Sequence, residues 1–251
     1  MPLLKLVKSK ENFAKQTEEY YNAIRTNIQF SGAQIKVIAI SSVEAGEGKS
    51  TTSLNLAISF ASVGLRTLLI DADTRNSVLS GTFKSNEPYK GLSNFLSGNA
   101  DLNETICQTD ISGLDVIASG PVPPNPTSLL QNDNFRHLME VARSRYDYVV
   151  IDTPPIGLVI DAVIIAHQAD ASLLVTAAGK IDERIRAADQ RDREGTREYR
   201  AAVRAIVAIC SDALRGCKAA LGRAGQFIAG LTTQVEDTVK TAPLHDPFRM
   251  Q

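Results

Sequence analysis

The sequence predicts an α/β protein in which a mostly parallel sheet is flanked by helices on both faces. The β-branched run 36–40 leads through a small-residue loop into an apolar segment that continues to Gly64. Two further apolar runs, 67–70 and 146–151, each lead into an aspartate. In open parallel sheets, ligands bind beyond the carboxyl ends of the strands. The loop and both aspartates are therefore expected at one edge of the sheet.

Composition excludes several classes of protein. A chain of 251 residues can bury a sizeable core as one globular domain, and a net charge of −1 favours no nucleic-acid partner. Cys107, Cys210 and Cys217 are too few and too scattered for a disulfide framework or a metal cluster. No signal peptide or apolar membrane span is evident, so we expect a cytoplasmic protein without a direct membrane span.

The spacing of apolar residues and the positions of proline and glycine predict the remaining elements of the first 180 residues. The proline-rich stretch 119–127 predicts a stiff, extended loop, because each proline fixes its own φ and restricts its predecessor. The predicted helices are 13–28, 91–96 and 129–146, and the predicted strands are 114–118 and 171–177.

The composition shifts towards Ala and Arg from about residue 181. Apolar residues three and four apart predict a helix over 196–221, although the run 206–209 is also compatible with a strand. We therefore divide the chain into a phosphate-loop domain, 1–180, and a mainly helical segment, 181–251.

The loop between the first strand and its helix has the composition of a phosphate-binding loop. Gly46 and Gly48 allow backbone N–H groups to turn towards an anion, and the following helix adds its positive N-terminus. Val43 replaces the first glycine of the usual G-x-x-x-x-G-K-[ST] pattern, so the motif is a variant. The alternative is a tight turn that binds nothing. The expected nucleotide-binding residues are Gly46, Glu47, Gly48, Lys49, Ser50 and Thr51.

Lys49 and three aspartates supply the charges of the expected site. Lys49, a solvated cation while the site is empty, can reach the β- and γ-phosphates, and the Ser50 hydroxyl can ligate Mg²⁺. Asp71 and Asp73 follow one strand and serve either in metal coordination or as a general base, unless they only stabilise a turn. Asp152, after another strand, is expected beside the metal.

Glu19, Asn22 and Arg25 form a stripe on the first predicted helix. One interpretation is a solvated face with a weak ion pair. The other is a contact between subunits.

The segments GEGKSTTSLNLA, LLIDADTRNSVLSG and YVVIDTPPIGLVIDA together resemble the Walker A, A′ and B motifs of bacterial tyrosine kinases, most closely the capsular-polysaccharide kinases of the Gram-positive type. The resemblance covers residues 1 to about 180. It implies ATP-dependent phosphorylation of tyrosine, including the kinase's own, in the control of capsular polysaccharide synthesis and export. By similarity, Lys49, Asp71, Asp73 and Asp152 are catalytic, and Ser50, Asp71 and Asp152 hold Mg²⁺.

The resemblance also implies partners. Members of this type work with a transmembrane adaptor that recruits and activates them at the inner face of the membrane. The stripe of Glu19, Asn22 and Arg25 resembles the family's oligomerisation motif E-x-x-R-x-x-R, which implies a homo-oligomer. Asn22 replaces the first arginine of that motif and so removes one guanidinium fork from the contact.

The residues leave two alternative functions to be considered. A positioning ATPase of the plasmid-partition or division-site type would need an additional lysine in the loop, where this chain has Val43 and Glu44. A nucleotide-binding protein without phosphotransfer is the second alternative. It is favoured by the C-terminal segment, which has no tyrosine after Tyr199, whereas the family's usual acceptor is a C-terminal tyrosine cluster.

Overall fold

The structure is a computed structural model, and it describes residues 2–85 and 87–176. Within these ranges, no helix has the length and apolar character needed to cross a membrane. The predicted helix 196–221, the proposed boundary at residue 180, Cys210 and Cys217 lie outside the described residues.

The two described ranges contain eight strands and seven helices. The strands are β1 (Leu3–Leu6), β2 (Val37–Ser42), β3 (Thr67–Asp71), β4 (Phe83–Ser85), β5 (Cys107–Thr109), β6 (Leu114–Ile117), β7 (Tyr148–Asp152) and β8 (Ala171–Val175). The helices are α1 (Lys8–Ser31), α2 (Lys49–Ser62), α3 (Leu92–Leu96), α4 (Leu102–Thr105), α5 (Pro126–Leu130), α6 (Asp133–Arg145) and α7 (Asp161–Ala166).

All eight strands form one sheet in the order β4-β1-β5-β6-β3-β7-β2-β8. The pairs β1–β4 and β5–β6 are antiparallel, and the other pairs are parallel. The mostly parallel α/β fold is therefore confirmed. Because β3 and β7 are neighbours, Asp71 pairs in register with Asp152. Strand β2, which leads into the phosphate loop, lies on the other side of β7.

Helices cover both faces of the sheet, as predicted, and the alternation of side chains along β2 shows how. Val37 and Ala39 point into a core that also contains residues of α3, α6 and α7. Ile38 and Ile40 point into the opposite core, with residues of α1 and α2. Strands buried on both faces must be apolar at every position, which explains their continuous hydrophobic runs.

Three predicted segments have different bounds in the structure. The single helix expected over 129–146 is instead two helices, because the Asn132 side chain accepts a hydrogen bond from Phe135 N at 3.0 Å and caps α6. The stiff loop expected over 119–127 ends early, since Pro126 begins α5. The first helix extends beyond 13–28, from Lys8 to Ser31.

Candidate nucleotide site

The phosphate loop joins β2 to α2 with two glycines in the left-handed region. Gly46 has φ of 81° and Gly48 has φ of 94°, conformations that a side chain would strain. Gly48 precedes the first residue of α2, so no side chain caps this helix. The N–H groups of the first helical turn are consequently suited to an anion.

Lys49 is buried rather than solvated. Its Nζ lies 2.8 Å from Asp73 Oδ2 and 3.9 Å from Asp152 Oδ2, and it donates to Ser50 Oγ at 3.3 Å. The expectation of a solvated cation is therefore wrong. The reason is that two buried carboxylates offer this ammonium group a better partner than water does.

Asp71 and Asp152 are fully buried side by side, and each has one oxygen held by a serine. Asp152 Oδ1 accepts from Ser53 Oγ at 3.0 Å, and Asp71 Oδ2 accepts from Ser77 Oγ. The remaining oxygens, Asp71 Oδ1 and Asp152 Oδ2, are buried without a hydrogen-bond partner among the described residues. Asp71 Oδ1 is thus available to a cation, and Asp152 Oδ2 has only the ammonium group of Lys49 nearby, at 3.9 Å.

Burial raises the pKa of both carboxyl groups. The pKa of Asp71 rises to about 7, with the neighbouring Asp152 and Asp73 charges adding to burial and the Ser77 hydrogen bond opposing it. The pKa of Asp152 rises to about 6, against the opposing attraction of Lys49. The negative charges of Asp71 and Asp152 are therefore incompletely balanced in the protein alone, and a bound cation would stabilise both carboxylates.

The residues fit a magnesium ion bound together with phosphates. Mg²⁺ prefers oxygen ligands and is usually held by one or two carboxylates plus substrate oxygens, not by a complete protein cage. The two unpartnered carboxylate oxygens satisfy that pattern. The described ranges contain no group of three or more acidic, His or Cys side chains arranged to hold a metal by themselves.

An ion pair beside the site was not predicted from the sequence. Asp161, buried at the start of α7, accepts from Arg75 Nε at 2.7 Å and from Thr127 Oγ1 at 2.6 Å. Arg75 also donates to Thr127 at 3.2 Å. The loop after β3 is thereby tied to the first turns of α5 and α7. Arg75 lies in the segment Asp71-Ala-Asp-Thr-Arg75, whose aspartates were predicted site residues. No pattern in that segment identifies Asp161 as the partner of Arg75.

The stripe on α1 is divided between two environments. Glu19 is exposed, whereas Asn22 and Arg25 are partly buried against α2. Arg25 Nη1 donates to Ser59 O at 2.6 Å, to Ser59 Oγ at 3.0 Å and to Asn22 Oδ1 at 2.8 Å. The interpretation of the whole stripe as a solvated face is therefore wrong, because two of its members dock α1 onto the helix that follows the phosphate loop.

The chain is similar to a known family model and to tyrosine-protein kinases of streptococci. A family model described as an AAA domain matches residues 35–181. The tyrosine-protein kinase CpsD of Streptococcus agalactiae serotype III is 57% identical over 199 residues, covering 78% of this chain and 86% of the relative. CpsD of Streptococcus pneumoniae serotype 4 is 56% identical over 184 residues, covering 73% and 81%.

The solved kinase domain of the Escherichia coli tyrosine kinase ETK has the same fold. It is 33% identical to this chain with a TM-score of 0.62, and the match covers 69% of this chain and 70% of that one.

Proposed function

The chain belongs to the bacterial tyrosine-protein kinases of the CpsD type, and from that membership we propose how its site binds nucleotide and transfers phosphate. It is a protein-tyrosine kinase of the capsule-biosynthesis class with a nucleotide-binding phosphate loop. The observation that carries the assignment of roles is the position of Lys49, at the start of α2 and between Asp73 and Asp152.

The loop 46–51 holds the phosphates of ATP in this proposal. Its N–H groups and the N-terminus of α2 bind phosphate oxygens, and Lys49 exchanges Asp73 for the β- and γ-phosphates. Ser50, Asp71 and Asp152 hold Mg²⁺, which when bound offsets charge on the phosphoryl oxygens. In support, Asp71 Oδ1 and Asp152 Oδ2 are buried and accept no hydrogen bond from the described residues, and Asp152 Oδ2 has Lys49 Nζ 3.9 Å away.

Asp71 and Asp73 are the proposed proton acceptors for the tyrosine hydroxyl. In the metal-free protein burial raises the pKa of Asp71 to about 7, which suits proton transfer near neutral pH when Asp71 is not itself bound to Mg²⁺. Asp73 loses its ammonium partner when Lys49 turns to the phosphates, and its Oδ1 stays anchored by Asn76 N at 3.1 Å. Separate Asp71→Asn and Asp73→Asn variants are compared by phosphotransfer and by affinity for ATP with and without Mg²⁺. Loss of phosphotransfer in Asp73→Asn with Mg²⁺-ATP affinity retained assigns the proton acceptor to Asp73, whereas full phosphotransfer in Asp73→Asn assigns it to Asp71.

We propose a cytoplasmic kinase recruited to the inner face of the membrane by a transmembrane adaptor. We also propose a homo-oligomer through α1, where Glu19, Tyr20 and Phe30 are exposed while Asn22 and Arg25 fix the helix on its own subunit. Exposed aromatic side chains along one helix support an interface there.

Incubation with labelled ATP, Mg²⁺ and the cytoplasmic segment of the adaptor tests this function. Bound nucleotide and phosphotyrosine are measured separately, on the chain and on an added tyrosine-containing peptide. A kinase gives both nucleotide binding and phosphotyrosine. Binding without phosphotyrosine on either acceptor would favour the nucleotide-binding protein that lacks phosphotransfer.

A further inference from the structure

The loop that follows β3 carries Asp73 beyond the end of the sheet. Ala72 N donates to Asp152 O at 2.8 Å, so pairing with the end of β7 fixes the loop as far as Ala72. Beyond that residue, and within the described part of the chain, Asp73 and Arg75 make the ion pairs and hydrogen bonds that join residues 73–77 to elements other than β3. The position of Asp73 therefore depends on two contacts, one at its own carboxylate and one two residues further along.

The contact at Asp73 is given up when ATP binds in the proposed manner. Lys49 Nζ lies 2.8 Å from Asp73 Oδ2 in the free protein, and in the proposed function it turns to the β- and γ-phosphates. Asp73 then loses its link to α2 just when it has to accept a proton from tyrosine. The contact made by Arg75 is left to hold the loop.

Arg75 is held by a buried carboxylate. Asp161 is 1% exposed, and its Oδ2 accepts from Arg75 Nε at 2.7 Å. Its Oδ1 accepts from Thr127 Oγ1 at 2.6 Å, and Thr127 Oγ1 in turn accepts from Arg75 Nη2 at 3.2 Å. Three bonds among three side chains fix the orientation of the guanidinium group, and a buried carboxylate cannot exchange them freely for water.

The segment between β7 and α7 joins Asp161 to the phosphate loop. Ile156 N donates to Ser42 O at 2.8 Å, where β2 leads into that loop. Gly157 lies against the next residue so closely that a Cβ atom at this position would clash with the carbonyl oxygen of Val43. The same segment therefore contacts the start of the phosphate loop and, at Asp161, holds the loop that follows β3.

We propose that Asp161 and Thr127 are positioning residues for phosphoryl transfer, an inference that rests on the function proposed above. Through Arg75 they keep Asp73 in place relative to the bound phosphates after Lys49 has left it. Neither residue contacts the phosphates or the tyrosine in this arrangement. Their loss should consequently slow transfer, which needs accurate placement of the proton acceptor, without weakening nucleotide binding.

Steady-state phosphorylation of an added tyrosine-containing peptide by the full chain, with Mg²⁺-ATP and the activating segment, tests this proposal. Thr127→Val removes the hydroxyl group at similar volume, and Thr127→Ser is the matched variant that retains it. Asp161→Asn removes the charge that faces Arg75. Titration with Mg²⁺-ADP measures the nucleotide affinity of each variant, and all measurements are made well below its midpoint of thermal unfolding.

We expect kcat to fall about tenfold or more in Thr127→Val and Asp161→Asn, with the affinity for Mg²⁺-ADP within about twofold of the wild type. Thr127→Ser should keep a kcat close to that of the wild type. A lower unfolding midpoint with unchanged kcat would show a purely structural role and overturn the proposal.

Two other results would also overturn it. Parallel losses of kcat and of ADP affinity would place Asp161 and Thr127 in nucleotide binding instead. A wild-type chain that binds ADP but forms no phosphotyrosine would contradict the proposed function itself, and this positioning role with it.

Discussion

Lys49 is held by Asp73 and Asp152 before any ligand binds, so its replacement should affect both binding and stability. Lys49→Met should abolish measurable nucleotide affinity, because the phosphates lose their principal cation. It should also lower the free energy of unfolding by on the order of 3 kcal/mol, since buried carboxylates lose their counter-charge. Calorimetric titration with ADP and urea unfolding measure the two effects.

The double variant Lys49→Met/Asp73→Asn is the control that separates the effect on stability from the effect on nucleotide affinity. It should recover part of the lost stability, because one uncompensated carboxylate is removed, but none of the nucleotide affinity. An unchanged ADP affinity in Lys49→Met would show that this lysine does not bind the phosphates.

The raised pKa values of Asp152 and Asp71 predict a pH dependence of Mg²⁺-dependent binding. The metal binds the ionised carboxylates, so protons compete with it below about 6 for Asp152 and about 7 for Asp71. Affinity for Mg²⁺-ADP should therefore rise with pH and level off above about 7. Below about 6, each required deprotonation costs about tenfold per pH unit.

Asp152→Asn is the test of this assignment. The variant should show a shallower pH dependence and should lose more affinity with Mg²⁺ than with a chelator present. Titrations at several pH values measure both quantities. Equal losses with and without the metal would assign Asp152 a structural role instead.

At the scale of elements, Arg25 fastens α1 to α2. Arg25→Ala removes donors to the Ser59 carbonyl and hydroxyl, and it should lower the free energy of unfolding by about 1–3 kcal/mol. Lys15→Ala on the same helix removes only an exposed pair with Glu11 and should cost no more than about 0.5 kcal/mol. Chemical denaturation compares the two, and equal losses would mean that the Arg25 contacts contribute nothing.

The buried carboxylate of Asp161 pairs with the exposed Arg75 and joins the segments that follow β3, β6 and β7 at the carboxyl edge of the sheet. Asp161→Asn should destabilise the fold by about 1–3 kcal/mol, because Arg75 and Thr127 lose a charged acceptor. Asp133→Asn is the matched substitution at an exposed pair with Arg136, with an expected effect of about 0.5 kcal/mol. Equal losses of stability in the two variants, measured by thermal unfolding, would contradict a stabilising role for the Asp161 contacts with Arg75 and Thr127.

The sequence predicted elements well where a strand or helix carries its own pattern. The strands around Ile38, Leu69 and Val150 coincide with apolar runs that stand out in the sequence, and all three are found. The strands β1, β4 and β5 were missed, since each has only three or four residues at or near the sheet edge. The division at Asn132 depends on a capping hydrogen bond that the helical period does not reveal.

In the candidate site, the residues in motif segments were predictable, whereas contacts between distant residues were not. The phosphate loop and Asp71, Asp73 and Asp152 stand in recognisable segments, and the fold brings these carboxylates together with Lys49. The Arg75–Asp161 pair joins residues 86 positions apart, and no local pattern encodes such a contact. The burial of Lys49 likewise depends on how β3 and β7 are paired.

At the scale of the whole molecule, the position of the tyrosines predicts which acceptor is used. No tyrosine follows Tyr199, and Tyr146 is buried with its hydroxyl bound to Asp115 at 2.8 Å. We expect little or no autophosphorylation in the C-terminal segment, and transfer to an added tyrosine substrate instead. Mass spectrometry after incubation with Mg²⁺-ATP and activator measures this, and abundant phosphotyrosine at Tyr199 would contradict it.

The central claim is that this site transfers phosphate to tyrosine through Lys49 and its surrounding aspartates. The most direct measurement is the rate of phosphotyrosine formation on an added tyrosine-containing peptide, with Mg²⁺-ATP and the activating segment, for the wild type, Lys49→Met and the surface variant Glu140→Gln. We expect equal rates for the wild type and Glu140→Gln, and no product for Lys49→Met. Nucleotide binding without product in the wild type, or product formed equally by Lys49→Met, would contradict it.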